Sequence, residues 1–142
     1  MSGPLSGIRV LDLSRVLAGP WATQLLGDYG ADVVKVERPV TGDDTRHWGP
    51  PWLQEPADGS GRESAYFLGT NRNKRSLTVD LSAAAGQQLV RELAVKADVI
   101  VENFKAGTLE RWGLGPEQLR RENPGLIVCT ISAFSRESAR AG

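Results

Sequence analysis

Residues 8–38 read IRVLDLSRVLAGPWATQLLGDYGADVVKVER, and this stretch decides the fold. Aliphatic and β-branched residues are dense at 8–13 and 32–37, a pattern typical of buried parallel strands. Between them, Gly19-Pro20 predicts the start of a helix, because proline suits the first helical position. Gly30 predicts the end of that helix, because glycine readily adopts the left-handed conformation found there. The stretch therefore predicts a β-α-β unit.

The alternation of strands and helices continues along the chain. Residues 39–64, rich in Gly, Pro and Asp, predict a long loop. Further strands are predicted at 77–81, 98–102 and 126–132, and short helices at 108–112 and 116–121. The expected fold class is α/β: a Rossmann-like, mostly parallel sheet with helices on both faces.

Two helices carry apolar stripes that predict their buried faces. In the first helix Ala22, Leu25, Leu26 and Tyr29 recur at helical spacing, so we expect them to face the sheet. A second stripe runs from Leu89 to Ala97. Ser82 precedes that helix and is predicted to cap it, because its hydroxyl can accept a hydrogen bond from a free backbone amide.

Composition bounds the class of protein. The chain has 142 residues, a formal net charge of zero, 40% hydrophobic residues and one cysteine. This balance predicts a globular domain and gives no indication of a nucleic-acid or membrane surface. A single cysteine excludes a disulfide within the chain, and Cys129 is expected to be inert packing within a strand. The sequence shows no secretory signal and no bilayer-spanning run, so we expect a cytoplasmic protein.

A dinucleotide site is one alternative for the β-α-β unit. Glu37 lies where a Rossmann fold places the acid that binds a ribose. The first turn, however, reads SRVLAGP at residues 14–20 and lacks the glycines that let a backbone approach a pyrophosphate. This absence argues against NAD or FAD, and Glu37 is interpreted as a surface partner of Lys35 or Arg38.

Arg38 is the first candidate for binding a phosphorylated ligand. It follows the second predicted strand, and ligands of open α/β sheets bind at the carboxyl ends of strands. Its planar guanidinium can donate two hydrogen bonds to one phosphate. A solvated surface arginine is the alternative interpretation.

Three other features have simpler interpretations. The basic turn Asn71-Arg72-Asn73-Lys74-Arg75 is either solvated or attracts a polyphosphate, with its asparagines fixing the turn. His47, the single histidine, is expected to be a solvated loop residue. No grouping of His, Cys, Asp and Glu has the spacing of metal ligands, so no metal is expected.

An ordered series of short motifs spans residues 4–134 and resembles the class III CoA-transferase family of the CaiB/BaiF type. The matching segments are Pro4-Leu5-x-Gly7, Ala18-Gly19-Pro20, Gly30 to Pro39, Gly42-Asp43, Asn71-x-Asn73-Lys74-Arg75-Ser76, Asp98 to Phe104, Gly107 to Arg111, Gly113-Leu114 and Asn123-Pro124-x-Leu126-Ile127. Each motif is weak by itself, and the order makes the series specific.

The resemblance implies a coenzyme A site, with CoA or acyl-CoA as substrate and a small carboxylic acid as the second substrate. The implied CoA-binding residues are Leu17, Ala18, Arg38, Val79, Asp80, Leu81, Ser82, Asn103, Phe104, Lys105 and Arg111. Among them Arg38 would bind the phosphate end, and Val79 to Ser82 would line the adenine pocket. The stretch 43–51 resembles the dicarboxylate-using branch of the family.

The resemblance also implies the chemistry. An aspartate would attack the acyl-CoA thioester and pass the CoA to a free carboxylate, and full-length members form homodimers. That aspartate falls after Gly142 in the family pattern, so no catalytic residue is assigned here. Residues 1–142 are expected to be the N-terminal part of the large CoA-binding domain, without the second domain.

Two alternatives stay open. An α-methylacyl-CoA racemase would use the same CoA site with an acid–base pair. A non-catalytic CoA-binding fragment is the other alternative, because residues 134–139 read FSRESA and lack the glycines and proline that the family places in this turn. We expect the chain to depart from the family here through drift, frameshift or truncation.

Overall fold

A computed structural model describes residues 3–53 and 61–134. The strands are β1 Arg9–Asp12, β2 Asp32–Glu37, β3 Trp52–Leu53, β4 Glu63–Ser64, β5 Lys74–Thr78, β6 Val99–Glu102 and β7 Ile127–Thr130. The α-helices are α1 Ala18–Asp28, α2 Ala65–Asn71, α3 Ala84–Lys96, α4 Thr108–Arg111 and α5 Pro116–Glu122. A short 3₁₀ helix covers Asp44–His47.

Five strands form one parallel sheet in the order β5-β2-β1-β6-β7, and β3 and β4 form a separate antiparallel pair. The predicted β-α-β unit is confirmed as β1, α1 and β2, and Gly30 adopts a φ of 98° after α1. All parallel strands end at the same edge of the sheet, so the segments that follow β1, β2, β5 and β6 converge there.

Helices cover both faces of the sheet, as predicted for an α/β fold. Leu11 and Ile100 pack in a larger core with residues of α3, α4 and α5. Their neighbours Val10 and Val101 point to the other face and form a smaller core, against which Leu26 of α1 packs. The alternation follows from the two-residue period of strands.

The predicted buried face of α1 is wrong for Ala22, Leu25 and Tyr29, which are exposed, and confirmed for Leu26, which packs against the smaller core. Leu25 and Tyr29 are 43% and 57% exposed, whereas Thr23 and Gln24 are buried. The helix turns these polar residues inward because they have partners there: the Thr23 hydroxyl donates to Asp12 Oδ2 at 2.6 Å, and the Gln24 amide donates to the Gly69 carbonyl at 3.1 Å. Polar contacts, not the apolar stripe, set the rotation of this helix.

The region from 74 to 84 also departs from the prediction. The strand expected at 77–81 is β5, which begins at Lys74 and ends at Thr78, so Val79 to Ser82 form the turn that follows it. Ser82 does not cap α3, whose N-cap residue is Ala83. Its hydroxyl instead donates to Asp80 Oδ1 at 2.6 Å, which satisfies a turn within the predicted site.

Smaller predictions meet mixed outcomes. The predicted loop at 39–64 contains the 3₁₀ helix, β3 and β4, and its residues 54–60 lie outside the described residues. Residues 135–139, in the turn that departs from the family pattern, also lie outside the described residues. His47 is exposed, as predicted. Cys129 is exposed on β7, not packed, because β7 is the edge strand. Within the described part of the chain, no helix has the length and apolarity needed to cross a bilayer.

Candidate functional site

A pocket of about 250 Å³ lies at the carboxyl end of the sheet. Its walls come from the segments that follow β1, β2, β5 and β6, together with Trp112 after α4. The lining residues are Leu13, Arg15, Val36, Glu37, Arg38, Val79, Asp80, Leu81, Ser82, Phe104 and Trp112. The predicted residues Arg38, Val79, Asp80, Leu81, Ser82 and Phe104 are thus brought together.

One wall of the pocket is aromatic and aliphatic. The Phe104 and Trp112 rings meet edge to face, with centroids 5.4 Å apart and planes at 78°. Val79 is buried and Leu81 half-buried on the β5 side. Flat apolar surfaces of this kind suit a planar aromatic ring, since such pairs favour stacked or edge contacts.

The turn after β5 is fixed by its own side chains. Both the backbone N–H and the hydroxyl of Ser82 donate to Asp80 Oδ1, at 2.9 and 2.6 Å. These hydrogen bonds lower the pKa of the Asp80 carboxyl, the largest contribution coming from the Ser82 side chain. The turn is held further by the Gln87 amide, which donates to the Leu81 carbonyl at 3.0 Å, and it therefore keeps one shape.

Arg38 lines the pocket but already has a partner. Its guanidinium pairs with Asp44, and Nε donates to the Gly42 carbonyl at 3.4 Å. Both side chains of the pair are about half exposed, at 47% and 48%. Exposed pairs contribute little to stability because solvent screens them, so a ligand can replace Asp44 at low cost.

Sequence reasoning missed Arg15, which lies three positions after the end of β1, as Arg38 lies directly after the end of β2. Its Cζ atom lies 4.8 Å from the centre of the Phe104 ring, and its side chain lines the pocket. An arginine shortly after a strand was a usable signal, because strand carboxyl ends meet at one edge.

Asn103 acts on the loop after β1. Its amide nitrogen donates to the Arg15 carbonyl at 2.8 Å, and its amide oxygen accepts from the Arg15 backbone N–H at 2.9 Å. The side chain is therefore engaged by the chain's own backbone. The predicted contact of Asn103 with CoA stays a prediction.

Four other predicted residues lie outside the pocket lining. Leu17 and Ala18 are exposed at the start of α1. Lys105 borders a small neighbouring cleft, and exposed Arg111 donates to Thr108 Oγ1 at 3.0 Å. Their predicted roles toward CoA stay predictions.

Buried ion pairs contact the backbone of the loop between β1 and α1. The Lys35 ammonium contacts Asp43 Oδ2 at 2.9 Å and donates to the Ser14 carbonyl at 2.8 Å. Asp43 also accepts from the Val16 backbone N–H at 3.2 Å. Burial would raise the pKa of Asp43, but Lys35 and the hydrogen bonds from Thr45 lower it.

A second buried pair joins Lys74 to Asp12, with Nζ 3.0 Å from Oδ2. Asp12 additionally accepts from Thr23 and from the Ser14 backbone. Burial lowers the pKa of Lys74 to about 8, although Asp12 opposes this shift. The two pairs together fix both ends of residues 12–16.

Glu37 is not a surface residue, which corrects its interpretation as a surface partner of Lys35 or Arg38. Its carboxylate accepts from Arg46 Nη2 and Nε, at 2.7 and 2.8 Å, from the Ser76 hydroxyl and from the Asp43 backbone. Burial would raise the pKa of Glu37, but these donors lower it to about 2. Arg46 also lies 3.7 Å from the centre of the Phe67 ring. A carboxylate so engaged has little capacity left for a ribose.

The basic turn at 71–75 lies at the opposite, amino end of β5. Arg72 and Arg75 pair with Asp28 and Asp32, and Lys74 pairs with Asp12. Asn71 donates to the Phe67 carbonyl at 2.9 Å, a local hydrogen bond as predicted, whereas Asn73 donates to Asp28 Oδ1 of α1 at 2.7 Å and not within the turn. Paired cations at this end favour a structural role. No cluster of three or more metal-binding side chains occurs among residues 3–53 and 61–134.

Comparison with known proteins identifies relatives of the same kind. The family model "CoA-transferase family III" matches residues 5–142. Succinate–glutarate CoA-transferase of Agrobacterium fabrum is 56% identical over 133 residues, covering 94% of this chain and 33% of that protein. Succinyl-CoA:glutarate CoA-transferase of Mus musculus is 49% identical over 98% of this chain and 31% of that protein.

Solved structures agree. A CaiB/BaiF family protein from Brucella suis superposes with a TM-score of 0.91 at 49% identity, covering 99% of this chain and 36% of that one. The chain spans about a third of the length of the curated relatives it matches. The family match covers nearly the whole chain, and therefore the chain belongs to CoA-transferase family III.

Proposed function

We propose that this chain supplies the CoA-binding part of an enzyme that transfers CoA from an acyl-CoA to a free carboxylic acid. Residues 1–142 would then form the first part of the large CoA-binding domain. The observation that carries the proposal is the pocket at the carboxyl end of the sheet, where Arg38, Phe104 and the turn 79–82 converge.

The pocket suits the nucleotide end of CoA in three respects. Phe104, Trp112 and Leu81 offer apolar surface to an adenine ring. The turn fixed by Asp80 and Ser82 gives the pocket a wall of constant shape beside that ring. Arg38 at the rim can exchange Asp44 for a phosphate, because a dianion with several acceptor oxygens forms stronger charge-assisted hydrogen bonds than a single carboxylate.

In the proposed transfer, these residues bind and orient the thioester and do not react. By family resemblance, an aspartate would attack the thioester carbonyl, expelling the CoA thiolate and forming an acyl anhydride. The thiolate would then attack the aspartyl carbonyl of that anhydride, releasing the donor carboxylate and leaving an aspartyl-CoA thioester. The acceptor carboxylate would attack that thioester and expel the thiolate, which would then attack the acceptor's acyl carbonyl in the new anhydride, giving the product acyl-CoA and the free aspartate. Holding the nucleotide fixes where the thioester can reach, so binding contributes to the rate by orientation.

A dicarboxylic acid is the proposed acceptor. The relatives named above act on succinate and glutarate, and another, from Chloroflexus aurantiacus, is a succinyl-CoA–D-citramalate CoA-transferase. We also propose a homodimer for the longer protein, following the family resemblance, and a location in the cytoplasm.

Calorimetric titration of CoA into the 142-residue chain tests the binding role. We expect saturable binding that Arg38→Ala weakens roughly 10-fold, the effect of losing one charge-assisted interaction. Arg75→Ala is the matched control, because Arg75 pairs with Asp32 at the other end of the sheet and should leave affinity unchanged. Absence of binding by a chain that melts cooperatively would contradict the proposal.

A further inference from the structure

Among residues 3–53 and 61–134, Arg15 differs from the other arginine at the pocket, Arg38, in having no ion pair. Arg38 pairs with Asp44, and Arg46 nearby pairs with Glu37. Arg15 forms no ion pair with any residue of 3–53 or 61–134, and its guanidinium lies over the Phe104 ring at 4.8 Å. The Arg15 charge is therefore not neutralised by an ion pair, although the Asp80 carboxylate also lines the pocket, and concave walls strengthen the attraction of anions to such a charge.

Hydrogen bonds fix the backbone of residues 14–16, which carries Arg15. Asn103 binds both the N–H and the carbonyl of Arg15. Lys35 binds the preceding Ser14 carbonyl, and Asp43 accepts from the following Val16 N–H. Val16 has a φ of 72°, a conformation that a β-branched residue rarely adopts unless its surroundings impose it. The structure thus uses buried groups to fix one side chain at the pocket wall.

Stacking leaves the binding groups of this arginine free. The Arg15 Cζ atom lies 4.8 Å from the ring centre, and a guanidinium beside a ring keeps its N–H donors, which can bind two oxygens of one group at once. Such a planar fork matches a phosphate group, and the adjoining Phe104 and Trp112 surfaces match the base of the same nucleotide.

We propose that Arg15 is a second phosphate-binding residue of this pocket, positioned by Phe104 and Asn103, and that it binds a phosphate of an adenine nucleotide. The proposal rests on the CoA-binding function proposed above and adds to it a residue that the family resemblance did not assign. Arg15 supplies charge that is available before the ligand arrives, whereas Arg38 must first release Asp44.

The experiment titrates three probes into the unchanged chain and its variants: CoA, adenosine 3′,5′-bisphosphate and pantetheine. Arg15→Ala should weaken binding of both phosphorylated probes roughly 10- to 100-fold, the range for a charge-assisted contact. Pantetheine carries no phosphate, so its weaker binding should be the same in both proteins. Arg15→Lys should recover part of the affinity, because it keeps the charge but loses the planar fork.

Arg9→Ala is the matched control, since Arg9 begins β1 at the opposite end of the sheet and pairs with Asp98. Each variant is compared with the unchanged chain in a thermal melt, and Arg15→Gln replaces the alanine variant if that one fails to melt cooperatively. Affinity of Arg15→Ala within twofold of the unchanged chain for both phosphorylated probes would overturn the role of Arg15. Failure of the unchanged chain to bind CoA would instead contradict the proposed function, so the two failures are distinguishable.

Discussion

The two ends of the parallel sheet use the same charged residue types in opposite ways. At the amino end, Arg9, Arg72 and Arg75 pair with aspartates in solvent, and the arginine of the last pair is 69% exposed. Toward the carboxyl end, the side chains of Lys35 and Asp43 are only 1% and 0% exposed. The buried pair lies beside the backbone of the pocket wall, whereas these exposed pairs lie at the other end of the sheet.

Exposed and buried ion pairs contribute different things to this molecule. An exposed pair gains little energy, because water solvates the separated charges nearly as well. A buried pair must offset the loss of hydration of both ions, so its presence is better explained by the geometry it imposes. Here Lys35 and Asp43 bind the backbone of residues 14–16, which carries Arg15 to the pocket.

The largest effect should come from breaking the buried pair. Asp43→Ala leaves the Lys35 ammonium buried without a counter-charge, and we expect the free energy of unfolding to fall by roughly 3–5 kcal/mol. Urea denaturation measures this loss. A decrease below about 1 kcal/mol would mean that the buried pair behaves like those at the surface.

A smaller effect should follow acidification, through Glu37. Its pKa in the folded chain is about 2, below the ordinary value of 4.5, because Arg46 and its other donors outweigh burial. The stability that Glu37 contributes is therefore present above pH 4.5 and is lost as the pH falls toward 2, by roughly 3 kcal/mol in total. Urea denaturation at several pH values measures this, and Glu37→Gln should remove that part of the pH dependence.

The smallest effect is expected at the amino end. Arg75→Ala breaks an exposed pair with Asp32 and should change the free energy of unfolding by less than about 1 kcal/mol. Added salt should reduce even that difference, because exposed charges are screened. A loss comparable to that of Asp43→Ala would remove the distinction between the two ends of the sheet.

The sequence was sufficient for the sheet because strands and turns leave local patterns. The apolar runs at 8–13, 32–37 and 98–102 and the glycine at 30 predicted β1, β2, β6 and the end of α1. The rotation of α1 was not predictable in this way, since it depends on Thr23 meeting Asp12 and Gln24 meeting Gly69. Contacts between residues far apart in the chain have no local signature.

In the candidate site too, residues with a local sequence pattern could be predicted and long-range contacts could not. Arg38 and the turn 79–82 could be proposed from an ordered series of motifs, and they do line one pocket. The place of Arg15 shortly after a strand was visible in the sequence, but its contact with a ring 89 positions later was not, because such a contact has no local pattern. The hydrogen bond between the Arg15 backbone and Asn103 is likewise a tertiary contact that the local sequence does not reveal.

The placement of Trp112 gives this chain an optical reporter of its own. Its indole forms part of the pocket wall beside Phe104, whereas Trp21 and Trp48 are 51% and 44% exposed to solvent. A small quencher such as iodide reaches the exposed indoles directly, so its effect on emission separates them from the pocket indole. With Trp21, Trp48 and Trp52 replaced by phenylalanine, Trp112 is the one tryptophan left in the sequence, and occupancy of the pocket becomes readable from fluorescence without any label.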